Sequence, residues 1–198
     1  MTNTKPLVLD VDGTFLKTDM LLECFWAGLG RDPLATLKAS ATLIGDRAVL
    51  KAELARIAEI RTDLLPVNGG VMAEVEMAKA AGREVVLASA SDAGLVQRLA
   101  ADHGLSERVF ASDGVTNLKG AAKAAALVQA FGGGGFDYGG NEKADREIWA
   151  RADRALVVND AASAGTLEAE GKPVTRIDSV WTFAGIMKAF RPHQWVKN

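Results

Sequence analysis

The stretch Leu7-Val8-Leu9-Asp10-Val11-Asp12-Gly13-Thr14 decides how the rest of the chain is read. Three apolar residues make a short β-type run that ends in two acids and a glycine, the pattern of a buried strand feeding a loop. Two carboxylates so close do not ionise together comfortably without a cation. The spacing of Asp10 and Asp12 therefore points to a bound metal or to a pair sharing a proton. Gly13 permits a sharp turn, and Thr14 offers a hydroxyl and a backbone N–H.

Working outward, further short strands are expected at 84–88, 108–110, 136–138, 155–158 and 174–177. Helices are expected near 71–81, with Gly82 as a stop, and at 93–103, 121–131 and 143–151. The run Gly132-Gly133-Gly134-Gly135 lacks a following Lys-Ser/Thr, so it reads as a flexible turn and not as a phosphate loop. Strands alternating with helices of about ten residues predict an α/β, Rossmann-like, mostly parallel sheet with helices on both faces. Residues 18–65 interrupt that alternation. They are rich in Ala, Leu, Lys, Glu and Arg, with breaks near Gly28–Pro33 and Gly45-Asp46. This segment is expected to be a small all-helical cap inserted after the first strand. The core then comprises 1–17 and 66–180, and 181–198 form a linker tail.

Composition narrows the class. With 48% hydrophobic and 24% charged residues and a net charge of −2, the 198-residue chain lacks the basic excess of a nucleic-acid binder. The single cysteine, Cys24, excludes an internal disulfide framework and reads as buried packing in a reducing compartment. Met1–Pro6 run straight into the first strand, so no leader is expected. No apolar run approaches the roughly 20 residues needed to span a bilayer.

In open α/β sheets the site lies beyond the carboxyl ends of the strands. The first strand delivers Asp10 and Asp12 there. The second ends at Ser89, a small hydroxyl suited to a phosphate oxygen, although Ser89, Ser91 and Asp92 also compete as caps for the next helix. Beyond the third lie Asn117-Leu118-Lys119-Gly120 and Lys123. Both lysines fit the start of a helix facing the site, with Lys123 preferred. The fourth gives Tyr138-Gly139-Gly140-Asn141-Glu142-Lys143-Ala144-Asp145, a glycine turn with oxygen ligands four residues apart. Asp113 reads as an Asx turn with Gly114, His103 as a helix-end residue, and Asp160 as a residue beside the fifth strand. Phe25 and Trp26 read as packing of the helical cap or as its substrate mouth.

Taken together these segments resemble the haloacid dehalogenase (HAD) superfamily. Asp10-Val11-Asp12-Gly13-Thr14 matches its first motif in full. Ser89 matches the second, Lys123 or Lys119 the third, and Gly140–Asp145 the fourth with Asn141 where an Asp is usual. The ordered set covers about residues 7–159. The resemblance implies a Mg²⁺-dependent phosphatase acting on a small phosphorylated substrate. Asp10 is the implied nucleophile and Asp12 the acid and base. Gly13, Thr14, Ser89, Ala90, Lys123 and Lys119 would bind phosphate, and Asp10, Asp12, Asn141 and Asp145 would serve the metal. Because Asn141 contributes no charge, a regulatory domain without catalysis is the alternative, and a phosphotransferase is a third reading.

The end of the chain carries a second resemblance. Arg191-Pro192-His193-Gln194-Trp195-Val196-Lys197-Asn198 is similar to the opening of UbiA-type polyprenyl transferases before their first membrane helix, and it follows a candidate linking helix at 179–189. Basic residues mixed with Trp suit the cytoplasmic face of a membrane. A fusion to a UbiA-type prenyltransferase domain is thus implied, with a substrate drawn from prenyl-phosphate sugar metabolism.

Overall fold

Period-two alternation within each strand divides the core in two. Leu7, Leu9, Val85, Leu87, Leu156 and Val158 face one apolar cluster, while Val8, Val86, Ala88, Ala155 and Val157 face the other. Such strands are apolar on both sides, as a parallel sheet covered on both faces requires. The computed structural model describes residues 4–43, 45–112 and 118–178. Among them are β1 (Leu7–Leu9), β2 (Val85–Asp92), β3 (Val109–Ser112), β4 (Asp137–Gly140), β5 (Ala155–Val158) and β6 (Val174–Ile177), in one sheet of order β3-β2-β1-β4-β5-β6. Every pairing is parallel, so the expected Rossmann-like α/β fold is the one adopted.

The helices are α1 (Met20–Arg31), α2 (Pro33–Leu43), α3 (Arg47–Ala58), α4 (Gly69–Ala80), α5 (Ala93–Asp102), α6 (Ala121–Phe131), α7 (Arg146–Trp149) and α8 (Ala161–Ala169). Val71, Val75, Leu95, Val96 and Leu99 put α4 and α5 on one face of the sheet. Ala124, Leu127, Ile148, Trp149, Ala164 and Leu167 put α6, α7 and α8 on the other.

The segment between β1 and α4 forms three helices. Asp19 caps α1 by accepting from Leu22 N–H at 3.0 Å, and Asp46 caps α3 by accepting from Val49 N–H at 3.2 Å. The chain leaves and returns through two adjacent linkers. Leu16 pairs antiparallel with Val67, Lys17 N–H donates to Pro66 O at 2.8 Å, and Asn68 N–H donates to Phe15 O at 2.8 Å. Cap residues Met20, Cys24, Leu54 and Ile57 continue the apolar cluster of the α4/α5 face, so cap and core share one interior.

Three elements differ from the sequence expectation. β2 does not stop at 88 but runs to Asp92, because β3 continues to pair with it through Asp92 and Ser112 across a register shift. The expected helix at 143–151 is a three-residue turn (Lys143–Asp145) followed by the single-turn α7, since Asp153 N–H is drawn back to Phe136 O at 2.7 Å. Helix α8 was not anticipated. Its sequence Ala-Ala-Ser-Ala-Gly-Thr-Leu-Glu-Ala lacks a clear apolar stripe, and it is set instead by its cap, Asp160 accepting from Ser163 N–H at 3.0 Å. Asp160 is therefore a cap residue. Asp113, Asn117 and the tail from 179 onward lie outside the described residues.

At the amino end of the sheet a buried ionic cluster ties the strands. Asp137, with no exposed surface, accepts from Arg83 at 2.6 Å and from Arg154 at 3.3 Å. Arg154 also reaches Glu74 at 3.1 Å. Removing the central carboxylate leaves the Arg83 guanidinium buried without it. Asp137→Ala is expected to cost about 3 kcal/mol of folding stability, read as a lower urea midpoint at unchanged slope.

Candidate active site

The strand order reverses direction at β1, with β2 on one side and β4 on the other, which makes the carboxyl end of β1 a topological switch point. Asp10 stands there. Its N–H donates to Gly139 O of β4 at 2.9 Å, which holds the two strand ends together beneath the site. Glycine is needed at this junction for close approach. A Cβ on Gly140 would come within 2.5 Å of Asp145 Oδ2, and one on Gly13, whose φ is +73°, would collide with the Asn141 side-chain amide.

From Asp10 the chain makes one wide turn over Val11–Phe15, closed by Phe15 N–H donating to Asp10 O at 3.1 Å. The turn swings Asp12 toward the cap. One carboxylate oxygen of Asp12 accepts from Met20 N–H, at the start of α1, at 2.8 Å. The other accepts from Ser91 Oγ at 3.0 Å. Burial pushes the Asp12 carboxyl up from its ordinary range, opposed by the Met20 N–H.

Lys123, almost wholly buried on α6, donates to Asp10 Oδ1 at 2.6 Å and to Tyr138 Oη at 3.3 Å. Burial pushes the Asp10 carboxyl up to about 7. Lys123 opposes that shift, while the nearby Asp145 and Asp12 carboxylates add to it. Tyr138 Oη donates to Asp145 Oδ1 at 2.9 Å, and burial raises the phenol well above its ordinary value, so it keeps its proton. Asp145 Oδ2 accepts from Asn141 N–H at 3.1 Å and Glu142 N–H at 3.0 Å, pinning the turn after β4. Thr14 Oγ1 donates to Asn141 Oδ1 at 3.1 Å, joining the first and fourth segments directly.

The structure thus brings Asp10, Asp12, Gly13, Thr14, Lys123, Asn141 and Asp145 to one place. Ser89 is fully buried nearby, with its Oγ accepting from Ser91 N–H at 3.0 Å. Ala90 and Lys119 line the cleft, and the carbonyl of Ala90 accepts from Lys51 Nζ of the cap at 2.8 Å and from Ser112 Oγ at 3.0 Å. Of the two lysines, Lys123 meets Asp10, whereas Lys119 sits at the exposed rim 3.5 Å from Glu142. Asp92, not Ser89 or Ser91, caps α5. His103 ends α5 with its ring edge-on to Phe15, and the thiol of buried Cys24 is pushed up to about 12 by burial, as a packing residue's would be.

Three contributors escaped the sequence reading: Ser91, Tyr138 and Lys51. Ser91 had a signal, since it stands two residues beyond Ser89 and shares its side of an extended strand. Tyr138 had one too: it is the chain's single tyrosine, on a short apolar strand where a buried phenol needs a polar partner. Lys51 has none, because its contact spans the cleft between cap and core.

The donors suit a hard cation of the magnesium type. The Asp145 and Asp12 carboxylates both act on buried Asp10, which Lys123 contacts, an arrangement that a cation would relieve. Among the described residues no three His, Cys, Asp or Glu side chains form a ready cage. Magnesium commonly relies on one or two carboxylates completed by water and substrate phosphate, so Asp10 with the Asn141 amide oxygen is a sufficient protein share.

No family model matches the chain. The uncharacterized protein y4nM of Sinorhizobium fredii is 29% identical over 196 residues, an alignment that takes in 98% of this chain and 38% of that protein. The chain therefore spans well under half the length of its curated relative. Among solved structures, a phosphoserine phosphatase described as the phospho-aspartyl intermediate analogue has a TM-score of 0.57 at 15% identity, covering 94% of this chain and 99% of its own. A HAD family hydrolase from Salmonella enterica serovar Typhi has a TM-score of 0.55 at 17% identity, covering 78% and 63%. The fold is that of the HAD hydrolases.

The raised Asp10 carboxyl has a measurable consequence. Ionising it in the folded chain is opposed by burial, so its contribution to stability is complete below pH 4 and is lost as pH rises through about 7. In metal-free protein, wild type is expected to lose stability relative to Asp10→Asn between pH 4 and pH 8, on top of the pH-independent cost of leaving buried Lys123 without its carboxylate. Urea midpoints at the two pH values read it directly.

Proposed function

We propose that this chain is a Mg²⁺-dependent phosphomonoester hydrolase that works through a covalent phosphate on Asp10. The observation that carries the reading is the Asp10 carboxylate at the switch point, held 2.6 Å from Lys123, with Asp12 on the same turn. In the first step an Asp10 oxygen attacks phosphorus while the bond to the leaving oxygen breaks. Asp12, whose proton affinity burial raises, gives that oxygen its proton. In the second step Asp12, now ionised, takes a proton from water. The resulting oxygen attacks the aspartyl-phosphate, releasing inorganic phosphate and restoring the Asp10 carboxylate.

Lys123, Ser89, the Thr14 region and the backbone around Gly13 and Ala90 offer positive charge and donors to the phosphoryl oxygens, with Lys119 at the rim. Asp10, the Asp12 backbone carbonyl and Asn141 would hold the magnesium, with Asp145 behind them. When bound, the ion supplies the charge neutralisation that lets an anionic nucleophile meet an anionic phosphate. The cap stands beside Asp10: Leu21 of α1 and Lys51 of α3 line the same cleft, and the α1 amino end is bonded to Asp12.

The second reading, a regulatory domain without turnover, draws its support from Asn141 and from Asp145, whose two oxygens are already engaged by Tyr138, Asn141 and Glu142. The similarity of residues 191–198 to UbiA-type transferases, and a relative of which this chain matches only 38%, support placement beside a membrane prenyltransferase domain at the cytoplasmic face. On that placement the substrate belongs to prenyl- or polyprenyl-phosphate sugar metabolism. Among the described residues no helix is long and apolar enough to cross a membrane.

A panel of phosphomonoesters assayed with Mg²⁺ separates the readings. Wild type is expected to turn over at least one of them, and Asp10→Asn to lose at least about a thousandfold in kcat. Absence of turnover, together with no calorimetric binding of beryllofluoride and Mg²⁺, would leave the regulatory reading standing. A second measurement concerns the metal alone. Asn141→Asp adds a charged oxygen and is expected to tighten Mg²⁺ by about tenfold in titration calorimetry, without any substrate present.

A further inference from the structure

Tyr138 is fully buried on β4, and its hydroxyl joins two groups that the proposed reaction uses separately. On one side lies Lys123, an ammonium with three donor hydrogens. Asp10 Oδ1 takes one at 2.6 Å and Tyr138 Oη takes a second at 3.3 Å, which leaves one for a phosphate oxygen in the cleft that Lys123 lines. On the other side lies Asp145. Its Oδ2 is filled by the N–H groups of Asn141 and Glu142, and its Oδ1 accepts the Tyr138 proton at 2.9 Å. Without the phenol, that oxygen is a buried acceptor with no donor, and Lys123 loses one of its two fixed contacts.

We propose that Tyr138 is a positioning residue that braces Lys123 on α6 against the Asn141–Asp145 turn, so that the phosphate-side cation and the metal-side turn are set by one hydroxyl. The proposal rests on the phosphatase reading for its catalytic part. The brace itself is a property of the folded chain.

Geometry makes the brace specific. A hydroxyl can donate to a carboxylate and accept from an ammonium at the same time, which neither Phe nor Trp can do in this orientation. The phenol ring is packed in the apolar cluster with Phe136, Ile148 and Trp149, so its oxygen is carried on a fixed body with little rotational freedom. Lys123 reaches the site from a helix and Asp145 from a turn. Tyr138, on the sheet between them, is the rigid reference for both.

Tyr138→Phe removes the one oxygen and keeps the ring. The full chain is measured in two ways. Hydrogen exchange at the Asn141 and Glu142 amides is expected to speed up by about tenfold or more, with the amides of β1 unchanged. This readout is independent of any activity. In turnover, kcat is expected to fall by about tenfold to a hundredfold with a smaller change in KM. In a Lys123→Ala background the same substitution is expected to cost kcat less than about twofold, because the group it positions is gone. Unchanged exchange at Asn141 and Glu142 overturns the brace. A full, additive loss of kcat in the Lys123→Ala background overturns the positioning role and leaves packing alone. If wild type turns over no phosphomonoester and binds no beryllofluoride, the phosphatase reading fails on its own evidence, and the exchange result still decides the brace.

Discussion

The contact between Lys123 and Asp10 constrains everything around it. An ammonium and a carboxylate 2.6 Å apart, with side chains only 6% and 13% exposed, are tolerable only if the remaining donors and acceptors on both are satisfied. That requirement explains the neighbourhood. Tyr138 takes a second Lys123 hydrogen, Asp145 takes the Tyr138 proton, and the backbone of Asn141 and Glu142 fills the rest of Asp145. Glycine at 139 lets β4 pack close against Leu9 of β1, and glycine at 140 leaves room for the Asp145 carboxylate, so that this chain of bonds closes. The fold supplies the crevice, but the polar network fixes where each group stands within it.

The cap is tied to the same network by a different route. Asp12 is held at one end by the first N–H of α1 and at the other by Ser91 of β2, while Lys51 of α3 reaches the Ala90 carbonyl beside Ser91. Both cap contacts thus land on the residues flanking the Asp12 carboxylate. Moving α1 away would relieve the burial that raises the proton affinity of Asp12 and would also remove the Met20 N–H that opposes it. Cap position and the protonation of Asp12 are therefore coupled, through burial first and one backbone hydrogen bond second.

Much of this was legible in the sequence for simple reasons. The strand-then-acids pattern at 7–14 fixes the site end of β1, since period-two burial and the need for a cation at paired acids are local physics. Asp10 and Asp12 follow from a strand end, whereas beyond the third strand Lys119 and Lys123 both qualify and the place of Asn141 in the set comes from the resemblance. What was not legible is cross-element. β2 extends to Asp92 because β3 pairs with it there, and Ser89-Ala90-Ser91 carries no strand propensity to announce that. Helix α8 rests on its cap and on packing of Ala164 and Leu167, not on an amphipathic stripe. Asp145 is nominated by spacing as a metal ligand, and the structure adds that its two oxygens accept from Tyr138 and from the 141–142 backbone. Spacing can nominate an oxygen but cannot say which hydrogens it already holds.

That last point bears on why an amide can stand at 141. Asp10 is raised to about 7 chiefly by burial, and the Asp145 and Asp12 carboxylates add to that shift against the opposing Lys123. A further carboxylate at 141 would lie beside Gly13 and Thr14, on the turn that follows Asp10, and would add one more negative charge to this group in the metal-free chain. Asn141 avoids this and still presents an oxygen, to which Thr14 donates. On the proposed phosphatase reading, the neutral side chain would exchange resting metal affinity for an Asp10 that ionises more readily before a cation binds. On that reading the charge for phosphoryl transfer would be assembled by substrate and cation together, around a lysine that the folded chain has already fixed in place.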